Sequence, residues 1–232
     1  MIPLVHDIDG ETVLVFGGGT VGARKARRFA REARVVVVSP AFTDADFGDS
    51  EFLRAAPGPD DVPTWLDAAD PVLVVAATDD TALNAAIESE AKERGLLVNR
   101  ADRSGERGRG GVVVPATVDD DPVHVAVTTS GTSPAVSRHL RRELESVVDG
   151  AGVVATVVEE LRAELKGGNV DPGRRRAAVR AVAEAEAVWA VARANGSRDA
   201  VREAADGVLA DALGDDGDGG STLVFVNSRR NA

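Results

Sequence analysis

Three glycines in the run VLVFGGGTVGARKA, Gly17, Gly19 and Gly22, have the spacing that lets a main chain close around a pyrophosphate. Gly17 permits a tight turn, Gly19 lets a phosphate approach bare backbone, and Gly22 lets a helix pack close on a strand. The helix start adds unpaired N–H groups and the positive end of its dipole. The expected nucleotide contacts are Gly17, Gly18, Gly19, Thr20, Val21 and Gly22, with Ser39 and Thr78 at the ends of later strands. The second strand closes on Ser39-Pro40, where a carboxylate that holds a ribose or an arginine that accepts a 2'-phosphate would stand. Neither is there; Asp44 and Asp46 follow, so the residues themselves leave NAD against NADP open.

The elements needed to position that loop are legible around it. Alternating β-branched runs and helix-period stretches predict strands over 12–16, 34–38, 72–76 and 96–99 and helices over 21–32 and 81–94, with Thr78, Asp79 and Asp80 as capping types before the second helix. The expectation is an α/β protein with a Rossmann-type parallel sheet. Residues 57–63 read as a surface loop. Beyond Gly111, VVVPATV and VHVAVTT flank DDDP as a hairpin-like pair, and helices are expected over 135–148, 153–165, 175–194 and 198–213. The domain expectation is therefore 1–110 for the nucleotide, a small β-containing dimerisation and substrate region over 111–148, a helical region over 149–213 and a flexible tail over 214–232, within which the apolar run TLVFV has no assigned role.

Composition sets outer bounds. A formal charge of -11, from 38 acidic against 27 basic residues in 232, argues against a general nucleic-acid binder and fits a chain kept soluble by self-repulsion, as in a high-salt cytoplasm. The apolar run at 35–38 is far too short to cross a bilayer, so a soluble cytoplasmic protein is expected. The absence of cysteine excludes disulfides and thiolate metal sites, and the three histidines are too scattered to form a metal-ligand set.

Taken in order, PLxxDIDGETVLVFGGGTVGARKA, VVVVSP, AATDD, LVNRAD, VVVPA and TSGTSPAVSRHLRREL resemble the NAD-binding precorrin-2 dehydrogenase/sirohaem synthase family over about the first 145 residues. That resemblance implies oxidation of precorrin-2 to sirohydrochlorin with NAD as hydride acceptor, in some members also insertion of ferrous iron as a substrate, and a homodimer. It gives Asp102 the catalytic role, puts Asn99 near the nicotinamide, and sets Ser133 against the tetrapyrrole. Many relatives carry an aromatic-containing stretch after the aspartate, whereas this chain has RSGERGRGG from Arg103 to Gly111.

The substrate is rich in carboxylates, which an acidic protein must meet with a local basic field. Arg100, Arg103 and Arg138, with Ser130, Gly131 and Ser133, are the expected substrate contacts. Asp102, desolvated beside the macrocycle, is expected to carry a raised pKa as general base. Arg141 and Arg142 have the competing reading of a solvated helix face pairing with Glu143 and Glu145. Two rival functions stay open: a non-enzymatic NAD(H)-sensing module, and a dehydrogenase of a smaller anionic substrate.

Overall fold

A computed structural model describes residues 3–102 and 111–214. Five parallel strands form the main sheet: β1 (Thr12–Phe16), β2 (Arg34–Ser39), β3 (Ser50–Arg54), β4 (Leu73–Ala76) and β5 (Leu97–Arg100), in the order β3-β2-β1-β4-β5. The chain starts at the centre and winds outwards twice, so β1 has neighbours on both sides and its loop opens at the carboxyl edge where the winding reverses.

Helices cover both faces. Helix α1 (Thr20–Phe29) turns Ala23 and Ala26 onto Val13, Val15, Val35, Val37 and Val75, while α2 (Val62–Ala69) and α3 (Thr81–Glu93) bring Leu66, Leu83 and Ile87 against Leu14, Phe16, Val36, Val38 and Val74. Alternate residues of one strand thus serve opposite cores, which is why these strands read as unbroken apolar runs. The side chains of α1 that meet the sheet are small, so the helix lies close and its first turn is drawn toward the β1 loop.

Two elements depart from the sequence reading. Strand β3, SEFLR, is an edge strand with mostly exposed residues and no apolar run to announce it. Within the loop expected over 57–63, a 3-10 turn at Pro59–Asp61 leads into α2, which starts at Val62 with Pro63 in its first turn, where a missing N–H costs nothing.

The chain divides into two compact units, one of residues up to 115 with 128–137, the other of residues 116–127 and those from 138 onwards. In the second, β6 (Ala116–Asp120) and β7 (Val123–Val127) pair as an antiparallel hairpin. The sequence reading parts this hairpin from the helices at residue 149; in the structure it packs on the start of α5 (Ala151–Gly167), where the Gly152 N–H donates to Asp120 Oδ2 at 2.9 Å and a Cβ on Gly152 would stand 2.3 Å from the Asp121 carbonyl. Helix α4 (Pro134–Val148) connects the units.

The single helix expected over 175–194 is two, α6 (Pro172–Glu184) and α7 (Glu186–Asn195), parted at Ala185, whose ψ of 115° is extended. Trp189 accounts for the break: its indole N–H donates to the Ala183 carbonyl at 2.8 Å, satisfying an acceptor freed where α6 ends. With α8 (Arg198–Gly214), α5, α6 and α7 enclose Val157, Leu161, Val182, Val188, Val201 and Ala205. No helix among the described residues is long and apolar enough to cross a membrane.

Candidate active site

The β1–α1 loop is built by the absence of side chains. Gly17 has φ of 117°, and a Cβ there would stand 2.3 Å from the Ala77 carbonyl at the end of β4; on Gly18 it would meet the Ala41 carbonyl at 2.2 Å, and on Gly22 the Gly17 carbonyl at 1.9 Å. These three positions bring β4, the segment after β2 and the first turn of α1 into mutual contact. Gly19 is different, because a Cβ there meets nothing within 4 Å. It caps α1 with extended backbone, and the first turn of that helix carries no acidic side chain.

Above this loop lies a cleft of about 700 Å3, lined by residues 16–21, 38–43, 56–57, 77–80 and 83. It gathers Gly17, Gly18, Gly19, Thr20, Val21, Ser39 and Thr78 around one space, with Gly22 directly beneath. Its volume suits a dinucleotide. The open face of Gly19 at a helix start free of carboxylates suits a pyrophosphate, so the residues present fit the group. Asp80 caps α3, its Oδ1 accepting from the Ala82 and Leu83 N–H groups at 2.8 and 3.0 Å.

Thr78 at the cleft wall is held by a buried polar partner on α3. The Thr78 hydroxyl donates to Asn84 Oδ1 at 2.8 Å, and the Asn84 amide, fully buried, donates to the Thr78 carbonyl at 2.9 Å. Asn84 was not among the expected site residues. The signal for it is a polar residue on the helix stripe that Leu83, Ile87 and Ala91 otherwise fill with apolar groups.

Arg100 dominates the surroundings of Asp102. Its Nε and Nη2 donate to the two Asp102 oxygens at 2.8 and 2.6 Å, and its Nη1 donates to Glu88 at 3.0 Å. The Arg100 side chain is 7% exposed and that of Asp102 23%. Lys92 completes the cluster by pairing with Glu88 at 2.6 Å. The expected raised pKa is corrected here: the Arg100 guanidinium, ahead of desolvation, holds Asp102 below the usual carboxylate value. Glu88 is likewise lowered, first by Lys92. Arg100 itself is committed to these two carboxylates.

Asn99, beside Arg100 on β5, is 4% exposed; its amide donates to the Val112 carbonyl at 2.8 Å, and its Oδ1 is buried with no hydrogen-bond partner among the described residues. The Ser130-Gly131 turn takes left-handed backbone at both residues, with φ of 55° and 86°. Thr129, which the sequence reading did not single out, braces it: its hydroxyl accepts from the Ser133 N–H and donates to the Ser133 carbonyl, both at 3.1 Å. Ser133 Oγ accepts from the Val136 N–H at 3.3 Å, capping α4. Arg138 is exposed on α4, and Arg141 pairs with Glu145, the solvated-face reading. Arg103 lies outside the described residues.

Fold and cleft define an α/β protein of the dinucleotide-binding class. A family model described as "Putative NAD(P)-binding" matches residues 4–116. The "Precorrin-2 dehydrogenase" of Methanosarcina barkeri strain Fusaro is 31% identical over 214 residues, 88% of this chain and 90% of that protein. The "Siroheme synthase" of Pseudomonas fluorescens strain SBW25 is 35% identical over 184 residues, 76% of this chain but 38% of that protein, so the chain spans little more than a third of that relative. The solved structure of "SirC, precorrin-2 dehydrogenase" shares the fold, with a TM-score of 0.66 and 23% identity over 90% of this chain and 98% of that one. The chain belongs to the precorrin-2 dehydrogenase family.

Two predictions follow from these contacts. Gly19→Leu is expected to melt like the wild type yet lose NADH binding, read from nicotinamide fluorescence, whereas Gly22→Ala is expected to lower the melting temperature; wild-type binding by Gly19→Leu would contradict the cradle. Because folding lowers the Asp102 pKa, its pairing with Arg100 stabilises the fold above the unfolded value of about 3.9 and that contribution is lost as pH falls through the folded value. Arg100→Gln should therefore unfold at lower denaturant than wild type at neutral pH, with a gap that narrows as pH is lowered from about 5 to about 2.

Proposed function

We propose that this chain oxidises precorrin-2 to sirohydrochlorin, as an oxidoreductase acting on a CH–CH pair with NAD as its cofactor. The observation that carries the reading is the cradle: three glycines that cannot bear a side chain and a fourth, Gly19, whose bare backbone faces the cleft at a helix start. Family membership supports the substrate.

The residues of Gly17 to Gly22 would hold the pyrophosphate, and Ser39 and Thr78 would border the nucleoside parts. When bound, the nicotinamide supplies the hydride acceptor. Oxidising the macrocycle removes one hydride and one proton, so the protein must stabilise the positive charge left by the hydride and give the proton a path out. Asp102 answers both needs. Held ionised by Arg100, it presents a fixed negative charge, and its partial exposure lets a proton pass to water. Because its pKa is lowered, the carboxylate stays charged across the neutral range.

Asn99 is proposed to stand near the nicotinamide; its buried Oδ1 has no hydrogen-bond partner among the described residues. Ser130, Gly131, Ser133 and Arg138, with Arg103 and Arg100, are proposed to meet the carboxylates of the tetrapyrrole, Arg100 by its charge alone because its N–H groups serve Asp102 and Glu88. A homodimer is part of the proposal, supported by Val136, Leu140 and Val147, apolar residues that α4 leaves exposed in one chain. A cytoplasmic location is part of the same proposal, supported by the need for an NAD pool. Ferrous iron, as a second substrate, belongs to the same reading.

Purified protein given precorrin-2 and NAD is expected to form NADH with the spectral change of sirohydrochlorin. Asp102→Ala should bind NADH normally and lose most turnover, on the order of a hundredfold or more. Unchanged turnover in that variant would remove Asp102 from the mechanism, and no NADH from wild type would remove the activity.

A further inference from the structure

At the carboxyl end of β2, where dinucleotide proteins distinguish a ribose 2'-hydroxyl from a 2'-phosphate, this chain sets no carboxylate. Ser39 is buried and donates its hydroxyl to the Ala41 carbonyl at 2.7 Å. Of the acids that follow, Asp46 accepts from the Gly48 N–H at 2.8 Å and lies 3.6 Å from Arg27, and Asp44 is exposed and, like Arg54, stands outside the cleft lining itself. Asp79 and Asp80 line it from the end of β4, two strand spacings away across β1, or about 10 Å.

What stands beside Ser39 is a cation. Strands β2 and β3 pair with Ser39 in register with Arg54. Arg54 Nη1 donates to the Pro40 carbonyl at 3.3 Å, and its Cζ lies 5.7 Å from the centre of the Phe42 ring. Phe42 and Thr43 line both the cleft and an adjoining groove of about 360 Å3 in which Arg54 sits. Edge-on contacts of Phe42 with Phe47 and Phe52, and the Thr43 N–H bond to the Gly18 carbonyl at 2.9 Å, fix this segment to the glycine loop. A carboxylate here would hold the ribose hydroxyls and repel a 2'-phosphate. A serine repels neither ligand, and a guanidinium fork attracts the phosphate dianion through paired hydrogen bonds.

We propose that the ribose end of this cleft accepts a 2'-phosphate, with Arg54 as its cation, so that the chain takes the phosphorylated dinucleotide NADP(H) as readily as NAD(H). The inference rests on the dinucleotide reading above and adds a specificity-determining residue to it. Arg54 is exposed, so water and salt limit its contribution to roughly tenfold in affinity.

The test is a fluorescence titration of the full chain with NADH and NADPH at low ionic strength, with a thermal melt of each variant. Wild type is expected to bind the two with dissociation constants within about tenfold of each other. Arg54→Ala should weaken NADPH by about tenfold and change NADH less than about twofold, and Arg54→Glu should bind NADH in clear preference. Wild-type discrimination against NADPH by a hundredfold or more would overturn the proposal. So would equal weakening of both ligands in Arg54→Ala, which would reduce Arg54 to a brace for Pro40 and Phe42. Binding of neither dinucleotide by wild type would instead overturn the cofactor reading itself.

Discussion

The first turn of α1 lies so close to the β1 loop that a single methyl group cannot stand between them. A Cβ at Gly22 would overlap the Gly17 carbonyl, and one at Gly17 the Ala77 carbonyl. This close approach brings β1, α1 and β4 to one point at the carboxyl edge of the sheet, and the cleft is the space left above it. The small inward residues Ala23 and Ala26 extend the same constraint along α1 and let the helix lie flat on the strands. The cradle is thus a packing consequence first. Its chemistry, open N–H groups beside bare backbone, comes with the packing.

The second organising interaction is the buried Arg100 bridge between Glu88 on α3 and Asp102 after β5. A guanidinium this poorly exposed is stable only when its donors are matched, and two carboxylates match them bidentately and singly. The bridge clamps the end of β5 to α3, whose own start is capped by Asp80 at the cleft. Asp102 therefore enters as an anion fixed at the end of β5 by Arg100. Such a group is better suited to opposing positive charge than to holding a proton.

Much of this was legible in the residues. Strands β1, β2 and β4 are buried on both faces and read as uninterrupted valine-rich runs, and the glycine spacing announced its own steric role. Strand β3 was not legible, because an edge strand exposes its residues and SEFLR carries no pattern. The break at Ala185 has neither glycine nor proline to mark it and depends on where the Trp189 indole finds an acceptor. At the site, the direction of the Asp102 pKa was misjudged because local sequence shows Arg100 as a neighbour but not its geometry. Glu88 lies 12 residues from Arg100 and joins it only through the packing of α3 on β5.

A structure of the protein with bound NAD tests the central claim most directly. The account predicts the pyrophosphate against the Gly19 backbone at the start of α1, the adenosine beside Ser39 and the nicotinamide on the side of Asn99 and Asp102. A dinucleotide seated elsewhere, or lying with its nicotinamide at the Ser39 end, would contradict it.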